Sequence, residues 1–228
     1  MKTSSKISTL IYSILIILTL IIFFEFHNAR LFPITNVAVA GNYQHINTDS
    51  VKRIVLPLTQ KGFFGVNIQT MQKQLEQLAW IASVEVSRAW PNSLVITINE
   101  KQPVAVWNDN SLLLASGKIF TPEDKEVPGD LPRFQSFEGS QLMVLDAYQK
   151  IIPILSSIGL KLTNIRLLSS GDWEVTLDNK TVVQLGKNNI VGKMQEYAKV
   201  YEQDIVKRKQ NPAYVDMRYH NGLAIRWH

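Results

Sequence analysis

The feature that most constrains this chain is an uncharged apolar run near its start. Residues Ile7–Phe24 form 18 consecutive positions without a charged side chain, and most of them are Ile, Leu or Phe. An α-helix of that length spans about 27 Å, close to the roughly 30 Å hydrocarbon core of a bilayer. The run therefore predicts a single transmembrane helix over residues 7–26.

A cleaved signal peptide is the main alternative for such a run. Its apolar stretch usually covers about 7–15 residues and is followed closely by small residues of the A-x-A kind. Here Glu25 follows the run directly, and the nearest A-x-A, Ala38-Val39-Ala40, lies within a predicted strand. These two observations favour an anchor that stays on the protein.

The charges that flank the run predict its orientation. Lys2 and Lys6 precede it, whereas Glu25 and Arg30 follow it and nearly cancel. By the positive-inside rule, residues 1–6 form a short cytoplasmic end and the rest of the chain lies outside. We therefore expect a single-pass, type II membrane protein.

Composition excludes several classes of function. The chain contains no cysteine, so an exported domain must be held by ordinary hydrophobic cores rather than by disulfides. The net charge of +5 does not form a continuous basic stripe, because residues 31–192 carry 14 basic and 14 acidic side chains. This charge distribution argues against nucleic acid as a partner.

The first exported unit is expected over residues 31–103. Alternating residues predict a strand before Gly41, two helical stripes follow, and a hairpin closes the unit around Trp90-Pro91-Asn92-Ser93. The order is β-α-α-β-β. A three-stranded sheet with two helices on one face would bury these stripes, which makes the unit α+β.

The second unit, residues 104–228, reads as a mixed β-rich domain with two helices. One helix is predicted over residues 140–158, with Pro153 expected to kink or split it, and the other over residues 190–209. The last two strands alternate around Asn221-Gly222, the strongest two-residue hairpin signal. We expect the last strand to lie at an edge of the sheet, where it could accept a partner strand.

The sequence shows no pattern typical of catalysis, so we expect no enzyme activity, no cofactor and no metal. The four histidines are scattered, and the chain has no Walker A loop, G-x-S-x-G or H-E-x-x-H pattern. The acidic residues Glu123, Asp124 and Glu126 lack the spacing of a calcium-binding loop. Packing is the expected role of Trp80, Trp90, Trp107 and Trp173.

Several motifs resemble those of a known family. Val39-Ala40-Gly41-Asn42 and the stretches 80–86 and 90–94 resemble a POTRA domain. Together with Gly171-Asp172-Trp173, Leu185-Gly186 and the stretch 214–219, they make the chain similar to the bacterial cell-division family FtsQ/DivIB. The resemblance covers nearly the whole chain, although Pro153 departs from the helix pattern.

The resemblance implies a function. It implies a non-catalytic scaffold of the divisome, held in the inner membrane at the division septum, whose POTRA domain helps to localise it. The β domain would bind the FtsB–FtsL subcomplex, link early to late division proteins and help to control septal peptidoglycan synthesis. The expected partner-binding residues lie on or beside the last strand: Tyr219, Leu223, Ala224, Ile225, Arg226 and Trp227.

A second function stays open at this point. POTRA domains also occur in envelope assembly and secretion proteins, so the chain could be an inner-membrane component that chaperones extended substrates. No series of strands long enough for a membrane β-barrel fits in the second unit. Localisation at midcell, or its absence, would separate these two functions.

Overall fold

A computed structural model describes residues 12–21, 32–42, 44–122, 127–208, 210–219 and 222–227. The chain divides into two compact units, residues 1–101 and residues 102–228. We describe each unit by itself and call them unit 1 and unit 2.

Part of the predicted anchor falls within the described residues. Residues 12–21 are helical, and every one of their side chains is exposed. The rest of the predicted span, residues 7–11 and 22–26, lies outside the described residues. Within the described part of the chain, no helix reaches the length and hydropathy that a membrane crossing requires.

Beyond the helical residues 12–21, the described part of unit 1 has three strands and three helices, the middle helix being a single turn. In chain order they are β1 (Asn36–Asn42), α1 (Thr48–Thr59), α2 (Gly62–Gly65), α3 (Ile68–Leu75), β2 (Ile81–Ala89) and β3 (Ser93–Glu100). The predicted order β-α-α-β-β is confirmed, with α2 added between the two longer helices.

The helix starts in unit 1 follow from side-chain caps. The Asn47 side chain accepts a hydrogen bond from the backbone N–H of Asp49 at 2.8 Å, which begins α1. Asn67 accepts in the same way from Thr70 at 2.9 Å and begins α3. Each cap satisfies one of the N–H groups that the first helical turn leaves without a partner.

The sheet of unit 1 has β3 at its centre, in the order β1-β3-β2. β1 runs parallel to β3, whereas β2 and β3 form an antiparallel hairpin. Side chains from α1, α3 and the inner face of the sheet form one core, whose fully buried members are Met71, Leu75, Leu94, Ile96 and Ile98.

The described residues of unit 2 form nine strands and two α-helices. In chain order they are β4 (Pro103–Trp107), β5 (Ser111–Leu114), β6 (Ile119–Phe120), β7 (Arg133–Gln135), α4 (Gln141–Ser157), β8 (Leu162–Leu167), β9 (Trp173–Leu177), β10 (Val182–Gly186), α5 (Ile190–Val200), β11 (Pro212–Asp216) and β12 (Ala224–Trp227). The unit is β-rich with two helices, as predicted.

All nine strands belong to one sheet, in the order β12-β11-β10-β9-β8-β7-β4-β5-β6. Three neighbouring pairs are parallel (β4 with β7, β7 with β8, and β10 with β11), and the others are antiparallel. The two helices pack on each other and on the sheet, and they bury Ile151, Leu155, Met194 and Tyr197. This core supports the strands up to the β12 edge.

Three local predictions were wrong. α4 continues unbroken through Pro153, whose side chain is exposed, so the missing N–H falls on the solvent side of the helix. The second helix changes at Tyr201 into a π-helical turn, Tyr201–Ile205. Trp90 does not pack in a core, because 80% of its surface is exposed.

Candidate functional site

The strand β12 lies at one edge of the nine-stranded sheet, as the sequence predicted. Its neighbour is β11, and the two strands pair antiparallel, with Asp216 opposite Ala224, Val215 opposite Ile225 and Tyr214 opposite Arg226. His220 and Asn221, in the predicted turn, lie outside the described residues. Among the strands that the structure describes, none lies beyond β12, so the outer side of β12 is unpaired.

The hydrogen bonding of β11 shows in which direction its backbone groups point. Met217 donates its N–H to the carbonyl oxygen of Gln184 in β10, at 2.9 Å. Gln184 stands opposite Asp216 in this parallel pair. Because backbone groups alternate in direction along a strand, Val215 and Met217 bond towards β10, and Tyr214 and Asp216 bond towards β12.

The same alternation fixes which groups of β12 face outward. Ala224 and Arg226 stand opposite Asp216 and Tyr214, so their N–H and C=O groups bond inward to β11. The N–H and C=O of Ile225 therefore point away from the sheet. Ile225 is the residue at which β12 offers a free donor and acceptor to another strand.

The side chains of the six predicted residues separate into two groups. Leu223, Ile225 and Trp227 are half-buried and pack against the hydrophobic core of unit 2. Ala224 and Arg226 are exposed on the other face of the strand, and Tyr219 is 63% exposed. The structure thus brings the six residues to one hairpin but leaves three of them accessible as side chains.

Two guanidinium groups lie over aromatic rings at this edge. The Arg226 guanidinium is 5.4 Å from the centre of the Tyr214 ring, on the neighbouring strand. The Arg208 guanidinium is 4.6 Å from the centre of the Trp227 ring. Such contacts contribute about 0.5–1 kcal/mol each at exposed positions. Both contacts involve the last two residues of β12, and they fix this end of the strand without occupying its outer backbone groups.

An ion pair between a buried carboxylate and an exposed guanidinium fixes the end of β11. The carboxylate of Asp216, which is 7% exposed, accepts from Arg218 Nη2 at 2.6 Å and from Nε at 2.9 Å, and also from the Arg218 backbone N–H at 3.0 Å. These hydrogen bonds hold the pKa of Asp216 below its ordinary value. The carboxylate in turn holds the pKa of the Arg218 guanidinium above the ordinary value for arginine. Burial raises the pKa of the neighbouring Tyr214.

Sequence reasoning missed the residues that support the edge: Tyr214, Arg208 and the pair Asp216–Arg218. The contact between Asp216 and Arg218 could have been predicted from the sequence, because residues two apart on a strand lie on the same face. The contact of Arg208 with Trp227 could not, since the two residues are nearly 20 positions apart in the chain. Within the described residues, no group of three His, Cys, Asp or Glu side chains could hold a metal.

Comparisons with known proteins find a family match in each unit, and neither match includes β12. The family described as cell division protein FtsQ/DivIB, C-terminal, matches residues 105–218, and the POTRA domain of FtsQ type matches residues 32–101. A relative from Coxiella burnetii, cell division protein FtsQ, is 32% identical over 201 residues, 88% of this chain and 83% of its own length. The protein of that name from Haemophilus influenzae is 31% identical over 195 residues, which are 85% of this chain and 77% of the relative.

Proposed function

The chain belongs to the FtsQ/DivIB family of cell-division proteins, and from this premise we propose that it is a non-catalytic scaffold of the divisome. Its β12 edge binds the FtsB–FtsL subcomplex in the periplasm. Through this contact it links early to late division proteins and helps to control septal peptidoglycan synthesis. The family resemblance implies FtsB and FtsL as the partners. The unpaired edge at β12 is the reason for proposing that they bind by strand pairing.

The observation that carries the proposal is the unpaired outer side of β12. An extended peptide that pairs with a sheet edge gains main-chain hydrogen bonds, and pockets or exposed side chains beside the edge select its sequence. Ile225 supplies the outward N–H and C=O, while Arg226, Ala224 and Tyr219 are accessible for selection. The contacts of Arg208 with Trp227 and of Asp216 with Arg218 hold this edge in place before a partner binds.

Residues 7–26 act as the membrane anchor in this proposal. Residues 12–21 are helical, and eight of them are large apolar side chains with more than half of their surface exposed. Apolar side chains exposed on all sides of a helix suit a lipid environment. The anchor would hold units 1 and 2 on the periplasmic side of the inner membrane.

The edge is tested by removing its outward N–H. Ile225→Pro deletes the donor while leaving the inward bonds of Ala224 and Arg226, and proline is tolerated at such edge positions. One lost hydrogen bond and the bulk of the ring should weaken binding of a periplasmic FtsB segment by at least about tenfold, or 1.4 kcal/mol. Titration calorimetry with purified residues 32–228 measures the change.

The opposite edge of the same sheet supplies a matched control. Leu114 donates its N–H to Lys118 at 2.9 Å, and Ile119 stands opposite Leu113, so the Ile119 N–H also points outward. Ile119→Pro should leave FtsB binding unchanged, and Ile225→Val controls for the trimmed side chain. Equal binding by wild type and by a folded Ile225→Pro variant would contradict the proposal.

The family match favours division over the secretion or envelope-assembly function. A fluorescent fusion to the full chain should form a band at midcell in dividing cells. A uniform envelope signal would favour the alternative, and it would do so whatever the outcome of the binding experiment.

A further inference from the structure

One end of unit 1 is built around the turn between β2 and β3. The Asn92 carbonyl at this turn accepts hydrogen bonds from Thr35 N–H at 3.0 Å and Asn36 N–H at 3.4 Å. Phe63 donates its N–H to the carbonyl of Phe32 at 2.8 Å. These bonds bring together residues 32–36, 61–66 and 88–93, which we call the Trp90 end.

The Trp90 end exposes aromatic side chains that unit 1 does not use in its core. Trp90 is 80% exposed and Phe64 is 38% exposed, whereas Phe63 is buried. The Phe64 ring makes edge-to-face contacts with Phe32 at 5.1 Å and with Phe63 at 5.2 Å between ring centres. Phe64 is thereby held at the surface of this end, which also carries the largely exposed Trp90.

The charge of this end has one sign. Lys61 and Arg88 are its charged residues, and both are exposed. Arg88 donates to the carbonyl oxygens of Phe63 at 2.8 Å and Val66 at 2.7 Å, which ties α2 to the turn. Residues 32–36, 61–66 and 88–93 contain no Asp or Glu, whereas Glu76 and Glu100 lie at the opposite ends of α3 and β3.

The chain length limits how far this end can lie from a membrane. The proposed anchor ends at residue 26, and Phe32 is already bonded within the Trp90 end. Six residues span at most about 22 Å when fully extended. Phe32 therefore lies within about 22 Å of the end of the proposed anchor, which brings the Trp90 end within reach of the lipid surface.

We propose that the Trp90 end is a membrane-contact surface, with Trp90 and Phe64 in the lipid headgroup region and Lys61 and Arg88 beside anionic phosphates. Tryptophan prefers this interface, where an amphipathic ring has an apolar body and a polar N–H to place. Basic side chains near an anionic leaflet add attraction. The inference rests on the proposed anchor. The contact would hold unit 1 against the bilayer surface.

The test uses the full chain reconstituted in vesicles of phosphatidylethanolamine and phosphatidylglycerol, some with brominated acyl chains near the headgroups. Brominated lipid quenches a tryptophan that touches the upper acyl region. The chain has five tryptophans. Emission of the wild type should therefore fall in brominated vesicles, and Trp90→Phe should lose most of that quenching.

Two controls separate the possible failures. Trp80→Phe replaces a buried tryptophan of the same unit and should keep the quenching of the wild type. Flotation of the vesicles reports whether the chain is anchored at all. A chain that does not float overturns the anchor and this inference with it. A chain that floats, with equal quenching in the wild type and in Trp90→Phe, overturns the membrane contact alone.

Discussion

The two edges of the nine-stranded sheet differ in length and in how they are supported. β6 has two residues and pairs with β5, whose Leu112 and Leu113 are fully buried. β12 has four residues and pairs with β11, whose Val215 is fully buried and whose Asp216 is held by Arg218. Both edges have an outward N–H, at Ile119 and Ile225.

Because of this difference, the two open edges are not equivalent as candidate binding sites. A two-residue strand offers a partner too few backbone groups to fix a register, and a short edge strand is one way in which proteins avoid unwanted pairing. The four residues of β12, with two guanidinium contacts at the C-terminal end of the strand, present a longer and better-fixed template. We expect stability to depend more on the β6 side and binding to depend on the β12 side.

Weakening the core behind each edge should have the largest effects, and it tests whether the two edges differ in their roles. Leu113→Ala should lower the free energy of unfolding by about 3 kcal/mol, and Val215→Ala by about 2 kcal/mol, because fewer buried atoms are removed. Urea unfolding of residues 32–228 measures both. FtsB affinity should nevertheless fall more in Val215→Ala. A larger loss of affinity in Leu113→Ala would place the site elsewhere.

The ion pair behind β12 should make this edge sensitive to acid. Since the pKa of Asp216 is lowered in the folded state, its contribution is complete above the unfolded pKa, near 3.8, and is lost as pH falls through the folded value. Asp216→Asn should therefore lower the urea midpoint at pH 7, by less than Leu113→Ala does. The difference from wild type should shrink at pH 3. A difference that is constant between these pH values would contradict the role of the carboxylate.

The smallest expected effect concerns the contact of Arg208 with Trp227. Arg208→Ala should loosen β12 by about 0.5–1 kcal/mol, which corresponds to two- to fivefold faster hydrogen exchange at the inward amide of Arg226. Lys207→Ala, next to it, should leave that rate unchanged. Slow exchange at Ile225 in the wild type would show instead that the assigned direction of the strand is wrong.

Much of the fold could be predicted because its signals are local. Asn67 before an amphipathic stripe predicts the start of α3, and the alternation of Val215 and Met217 against Asp216 predicts a strand with one buried face. Pro153 misled the prediction, since its effect depends on which side of the helix faces solvent. Trp90 misled it too, because large aromatic residues usually pack in cores.

The site was predicted less completely than the fold. The alternation of Leu223, Ile225 and Trp227 located the edge, but it could not say which backbone groups point outward. That direction depends on the hydrogen bond from Met217 to Gln184, a contact between strands more than 30 residues apart in the chain. Arg208 was out of reach for the same reason, because contacts between distant positions leave no local pattern.

The parallel pairing of β1 with β3 also has a mechanical consequence. Seven residue pairs join these strands, from Asn36 opposite Ser93 to Asn42 opposite Asn99. The chain enters the sheet of unit 1 at the start of β1 and leaves it after the far end of β3. If the chain is anchored before β1 and bound through unit 2, as proposed, a pull between the membrane and the partner would slide the two strands along each other. All the bonds between them would resist together instead of opening one at a time, which suits a tether under tension.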